Sequence, residues 1–134
     1  MRRADVVFLD IISVHEIHDQ VLLLGGGMPG VRDPGMVASA VAAPQTGYYG
    51  TLGELAAVYV FGLARNHGFV DGNKRTAAGA LMAFLGANGF RVVLTDEWIA
   101  IVEAVASGAT NRHELCDLIV ARLLGGRDVA LTSP

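Results

Sequence analysis

A cluster of polar residues interrupts two apolar helical patterns in the middle of the chain. The stretch Asn66 to Ala77 reads NHGFVDGNKRTA and places a histidine, an acid, an asparagine and two cations between His67 and Arg75. Gly68 and Gly72 give the chain the freedom to turn there. The following helix then directs its free N–H groups into the turn, and such a helix start attracts anions. The sequence therefore predicts an anion-binding loop.

The residue types in this loop suit phosphate and proton chemistry. Lys74 and Arg75 fall in a first helical turn, where the helix dipole disfavours cations, so a bound anion would explain them. Arginine offers phosphate a planar fork and lysine a point charge. Asp71 could hold Mg²⁺ through one oxygen beside the phosphates, and His67 could act as a proton acceptor. Together these roles indicate phosphoryl or nucleotidyl transfer. A solvated connecting loop is the alternative that spacing alone leaves open.

Six helical patterns account for most of the chain and must position this loop. Apolar periodicity and capping signals predict helices at about residues 10–24, 34–43, 51–66, 73–88, 95–107 and 111–124. The best strand candidate is Phe90 to Leu94, and Val6 to Leu9 is its only plausible partner, so any sheet is a minor two-stranded β element. We predict an all-α fold with helices packed around the third and fourth. It forms one domain over residues 1–134, with a core at about 10–124 and a fraying tail from Gly126.

Composition narrows the class of protein. The 134 residues are 52% hydrophobic and 17% charged, which is typical of a compact globular domain. A net charge of −3 argues against a broad nucleic-acid surface, so no direct nucleic-acid partner is expected. The single cysteine, Cys116, excludes an internal disulfide and is compatible with the cytoplasm. The apolar run just before the motif, Leu55 to Ala64, is about half of a membrane span, so no membrane partner is expected.

The polar motif resembles a known signature. His67 to Arg75 matches H-x-F-x-D-x-N-K-R, which is characteristic of the Doc toxins, the kinase branch of the Fic superfamily. The segments GVRDPGMVASAVAAPQ at 30–45 and LARNH at 63–67 are also similar to Doc proteins. The resemblance covers roughly residues 10–124. It implies a Fic/Doc-like bundle of about six helices.

The resemblance also implies a reaction and partners. His67 would take the proton from a target threonine or serine hydroxyl, and Asp71 would bind Mg²⁺. The γ-phosphate of ATP would pass to elongation factor Tu and stop translation, and a Phd-like antitoxin would block the site. The phosphate- and nucleotide-binding residues would be Gly72, Asn73, Lys74 and Arg75.

Two alternatives to the kinase remain. The sister Fic branch transfers AMP and carries H-x-F-x-D/E-G-N-G-R-x-x-R, whereas here Lys74 replaces the second glycine and Ala78 stands at the second arginine. The bulky cation occupies space that AMP-transferring members leave for phosphates, which favours presentation of the γ-phosphate. The other alternative is a catalytically silent protein that only captures an anion or an antitoxin.

Two further pairs of residues could belong to a site. Tyr48 and Tyr49 lie in a glycine-flanked loop, which we assign to the flap that would contact the target. The residues alone leave open whether these rings pack on the core or cover a ligand. His15 and His18 form H-E-x-H, but no third metal ligand is evident. We interpret these histidines as core or helix-surface residues.

Overall fold

The helix boundaries follow the capping residues of the sequence. The computed structural model describes residues 1–133, which contain six α-helices and two short 3₁₀ helices at Arg3–Asp5 and Ala43–Thr46. The α-helices are α1 (Ile11–Gly25), α2 (Pro34–Ala42), α3 (Leu52–Arg65), α4 (Asn73–Ala87), α5 (Glu97–Ser107) and α6 (Arg112–Leu123). The prediction of an all-α bundle of about six helices is confirmed.

Side-chain caps fix the start of most of these helices. Asp10 and Asp33 accept backbone N–H bonds in the first turns of α1 and α2. Asn111 and Glu114 form a reciprocal capping box on α6. The predicted start of α5 is two residues early, because the helix begins at Glu97 without a side-chain cap. Local hydrogen bonding thus explains why the sequence located most of the helix starts.

Helix α3 lies at the centre of the bundle and packs against α2, α4, α5 and α6. Ten of its residues are buried, including Leu55, Tyr59 and Leu63. Helix α4 contributes Leu81 and Phe84 to the same core and also contacts α1 and α5. Because both helices are packed into the core, they hold the loop that joins them on a rigid base.

Within the described residues, none of the helices combines the length and apolar character that crossing a bilayer requires.

The predicted two-stranded β element is wrong for residues 1–133. The backbone of Val7 pairs instead with one side chain: Val7 N donates to Asn88 Oδ1 at 2.8 Å, and Asn88 Nδ2 donates to Val7 O at 2.9 Å. The N–H of Leu9 donates to the hydroxyl of Tyr59 at 3.0 Å. These side chains satisfy the extended N-terminal segment, and residues 90–94 run beside the core without forming a ladder.

The C-terminal residues are also ordered by pairing, so the expectation of a fraying tail is wrong for residues 128–132. Leu52 N donates to Val129 O at 2.9 Å, and Leu131 N donates to Gly50 O at 2.9 Å. The N–H of Thr132 donates to Met1 O at 2.9 Å. The chain termini and the loop before α3 are therefore bound together at one end of the bundle.

Candidate active site

The loop between α3 and α4 is anchored by Phe69, which is 2% exposed. The ring of His18 stacks on Phe69 with centroids 3.8 Å apart and planes inclined by 8°. His15 approaches the same ring edge-on at 5.4 Å. Both histidines of the H-E-x-H pair on α1 thus pack against Phe69, the apolar residue at the middle of the polar loop.

His18 also bonds the loop backbone. Its Nε2 lies 2.8 Å from the carbonyl oxygen of Asp71. Because a carbonyl oxygen can only accept, the hydrogen bond requires the proton on Nε2. His18 is 3% exposed, and this bond therefore fixes the position of the Asp71 backbone relative to α1.

Asn73 closes the loop from the other side. Its side-chain oxygen accepts from Phe69 N at 3.0 Å, and its side-chain nitrogen donates to Phe69 O at 2.9 Å. Because the side-chain amide is used within the loop, only the backbone N–H of this residue at the start of α4 would be free for the phosphate contact that the sequence predicts.

The segment before α2 runs along the same loop. Arg32 N and Asp33 N both donate to Gly68 O, at 2.8 and 3.0 Å, and Val70 N donates to Gly30 O at 3.0 Å. Arg32 also donates from Nε to the carbonyl oxygen of His67 at 3.0 Å. His67 has φ +50°, a left-handed conformation that is uncommon outside glycine. This costly backbone geometry is held by the surrounding hydrogen bonds.

The start of α4 is left without a side-chain cap. Its N-cap is Gly72, which has φ +80° and no side chain to accept an N–H. By contrast, Thr51 accepts from Glu54 N at 3.1 Å at the start of α3. The first amides of α4 are thus available to an anion, as the loop prediction requires.

One cavity of about 440 Å³ lies at this helix start. The motif residues that line it are those predicted from the sequence, His67, Asp71, Gly72, Asn73, Lys74 and Arg75. Ala64 and Val70 complete this wall, and α5 supplies Glu103, Ala106 and Ser107 opposite. Sequence reasoning missed the α5 wall. The available signal was that Glu103 is the one charged residue between Glu97 and Arg112 in the sequence.

Asp71 is held as an ionised acceptor. Its Oδ2 accepts from Met28 N at 3.1 Å and its Oδ1 accepts from Gly72 N at 2.8 Å. These backbone N–H bonds, with a smaller contribution from the charge of Arg75, hold the pKa of Asp71 below its usual range. A carboxylate has about four acceptor positions, so an exposed Asp71 keeps free lone pairs. This donor set fits Mg²⁺, which takes one or two carboxylates together with phosphate oxygens.

Arg75 reaches away from the α4 axis to the end of α1. Its Nη1 donates to Val21 O at 2.9 Å, and its Nη2 donates to Gly26 O at 2.8 Å. A Cβ atom on Gly25 would collide with this guanidinium. The glycines that end α1 therefore leave room for a cation, which also compensates the negative end of that helix. Arg75 borders the cavity while bonded there, and Lys74 is the cation on the exposed first turn of α4.

Tyr48 and Tyr49 are not brought to this cavity. They precede the N-terminal end of α3, whereas His67 follows its C-terminal end. A helix of 14 residues is about 20 Å long. Tyr49 lies under the guanidinium of Arg112, 4.9 Å from its ring centroid, and Tyr48 is 81% exposed. The segment that borders the motif loop is residues 28–33, so their predicted contact with a target remains a prediction without support from position.

Comparison with known proteins agrees with the motif. Residues 8–85 match the model of the Fic/DOC family. The chain is 39% identical over 112 residues to the toxin Doc of Mycolicibacterium smegmatis, covering 80% of this chain and 85% of that protein. It is 31% identical over 116 residues to the protein kinase doc of Escherichia phage P1, covering 84% of this chain and 91% of that protein. The matched residues include the loop and the first turn of α4, which line one side of the cavity. The chain belongs to the Fic/DOC family.

Proposed function

We propose that the protein is a Doc-type toxin that transfers the γ-phosphate of ATP to a threonine or serine hydroxyl of elongation factor Tu, and so stops translation. The observation that carries this proposal is the convergence of His67, Asp71, Lys74 and the uncapped start of α4 on one cavity. The name of the phage P1 relative, protein kinase doc, supports the same class of reaction.

The residues of the cavity divide the chemical work. His67 accepts the proton of the attacking hydroxyl, whose oxygen forms the new bond to the γ-phosphorus as the bond to the β–γ bridging oxygen breaks. Lys74 and the first amides of α4 stabilise the negative charge of the phosphates. Asp71 would hold Mg²⁺, which neutralises phosphate charge when bound. The bonds to the backbone of residues 67–71 keep His67 and Asp71 in place during the reaction.

Lys74 favours the kinase over AMP transfer. Its side chain stands in the first turn of α4, where the AMP-transferring signature has glycine. A cation at this point attracts the terminal, most highly charged phosphate. We therefore place the γ-phosphate, and not the α-phosphate, next to His67.

A cytoplasmic setting and a Phd-like antitoxin complete the proposal. The toxin Doc of M. smegmatis is 39% identical to this chain, and we propose that this chain, as a toxin of the same type, is silenced by a partner. Such an antitoxin would act by covering the cavity that holds His67 and Lys74. Coexpression of a candidate antitoxin would be expected to restore growth and to block phosphate transfer.

The test uses ATP labelled at either the α- or the γ-phosphate, with Mg²⁺ and elongation factor Tu. We expect γ-label on the target with the native protein and none with His67→Ala. His113→Ala is the matched control, because His113 is an exposed histidine on α6 outside the cavity. Transfer of α-label would instead assign nucleotidyl transfer. Absence of both labels, with growth arrest unchanged in His67→Ala, would leave a binding protein and overturn the proposal.

A further inference from the structure

A second cavity adjoins the first between α4 and α5. It also has a volume of about 440 Å³, within the range of small-molecule pockets. Both cavities are bordered by Lys74 and Arg75 on α4 and by Glu103 on α5, so they adjoin at these residues. Away from these residues the second cavity is largely apolar, and its lining consists of Ala78, Leu94, Trp98, Ile99 and Val102 together with the polar residues Thr95 and Asp96.

The order of residues along α5 gives this combined site a direction. Ile99, Glu103 and Ser107 follow one another at intervals of four, so they lie on one face of the helix. Ile99 borders only the apolar cavity and Ser107 only the cavity of the motif, whereas Glu103 borders both. At a rise of 1.5 Å per residue, Glu103 lies about 6 Å along the helix axis from either neighbour.

Glu103 is an acid at the side of a site built for an anion. Glu103 is exposed. Within residues 1–133 its carboxylate makes neither a hydrogen bond nor a salt bridge, whereas Glu97 on the same helix pairs with Arg122. A carboxylate can only accept hydrogen bonds and repels phosphate. Its natural ligands here are hydroxyl or amino donors located between an apolar group and a polyphosphate.

A ribonucleotide presents its groups in this same order. The base offers apolar faces, the ribose offers two hydroxyl donors, and the phosphates follow. A carboxylate that accepts from ribose hydroxyls is an established means of recognising nucleotides in other folds. The alternation of apolar groove, acid and cation along α5 and α4 is therefore complementary to a nucleoside polyphosphate.

We infer that Glu103 accepts hydrogen bonds from the ribose hydroxyls of the bound nucleotide, whose base lies in the groove lined by Leu94, Trp98 and Ile99. This inference rests on the proposed use of ATP and adds a specificity-determining residue. The protein then prefers ribonucleotides to deoxyribonucleotides. Glu103 acts on binding, while proton transfer stays with His67.

Calorimetry in the presence of Mg²⁺ tests this with ATP, 2′-deoxyATP and tripolyphosphate. Because a hydrogen bond to a charged group is strong, we expect the native protein to bind ATP roughly tenfold more tightly than 2′-deoxyATP. Glu103→Ala should bring that ratio close to one, with tripolyphosphate bound as well as before or better. Ile99→Ser should weaken ATP binding and leave tripolyphosphate binding unchanged.

The control is Glu97→Gln, which removes an acid from the same helix outside both cavities. It should keep the native ratio, and thermal unfolding of each variant checks the fold. Equal affinity of the native protein for ATP and 2′-deoxyATP, or an unchanged ratio in Glu103→Ala, would overturn the inference while tripolyphosphate binding still supports the phosphate cradle. If the native protein does not bind tripolyphosphate, the proposed function is overturned as well.

Discussion

Replacement of His18 by phenylalanine tests whether this histidine positions the motif loop. In the native protein the His18 ring stacks on Phe69 with centroids 3.8 Å apart, and its Nε2–H donates to Asp71 O at 2.8 Å. The variant keeps a ring at this position and removes the hydrogen-bond donor. Since that carbonyl is partly buried, the loss of its donor should cost about 1–2 kcal/mol. For a domain of this length, this corresponds to a melting temperature lower by roughly 4–8 °C.

The assays are thermal and urea unfolding, followed by γ-phosphate transfer under native conditions. The urea midpoint should fall without a change in slope, and the transfer rate should fall because one of the bonds that position Asp71 is lost. His15→Phe is the matched control, because His15 touches Phe69 only by its ring edge. It should remain within about 0.5 kcal/mol of the native protein. Equal stability and equal activity of the two variants would show that the hydrogen bond from His18 does not position the loop.

Three other changes test further contacts in the site and in the fold. Gly27 has φ +125°, and a Cβ there would lie 2.9 Å from Asp71 Oδ2, so Gly27→Ala should cost about 1–3 kcal/mol. The matched control Gly86→Ala, at an open position of α4, should raise the melting temperature, whereas Gly27→Ala should lower it; equal effects of the two substitutions would contradict the close contact between Gly27 and Asp71. Asn88→Ala leaves both polar groups of Val7 without their partner and should cost about 3 kcal/mol in urea unfolding, against little change if water replaces the amide. The folded state lowers the pKa of Asp71 from 3.8, so the ionised carboxylate contributes fully to folding stability above pH 3.8. This contribution is lost as the pH falls through the lowered pKa. Asp71→Asn should therefore be less stable than the native protein at neutral pH and equal to it in strong acid; a pH-independent difference would refute the role of the charge.

Local rules predicted much of this fold. The starts of α1, α2 and α6 are set by capping side chains within a few residues of the helix, and the sequence displays them directly. The motif loop was predicted for the same reason, since Gly72 and the cations of the next turn are neighbours in the chain. The Fic/DOC assignment depended on these adjacent residues.

Long-range partners could not be predicted in this way. A mostly apolar run such as residues 90–94 is typical of a strand, but only the folded chain shows that the side chain of Asn88 bonds the backbone groups of Val7. Similarly, the sequence predicts a target contact for Tyr48 but does not show that Tyr48 and His67 lie at opposite ends of α3. Glu103 reaches the cavity because α5 packs beside α4, and this contact has no signal in the motif.

The most direct test of the account is a crystal structure of the protein with Mg²⁺ and a non-hydrolysable ATP analogue. We predict that the terminal phosphate lies against the backbone amides at the start of α4 and beside Lys74, with the imidazole of His67 facing it. A triphosphate bound elsewhere, or a His67 ring turned away from the terminal phosphate, would contradict the claim that these groups form one phosphate-transfer site.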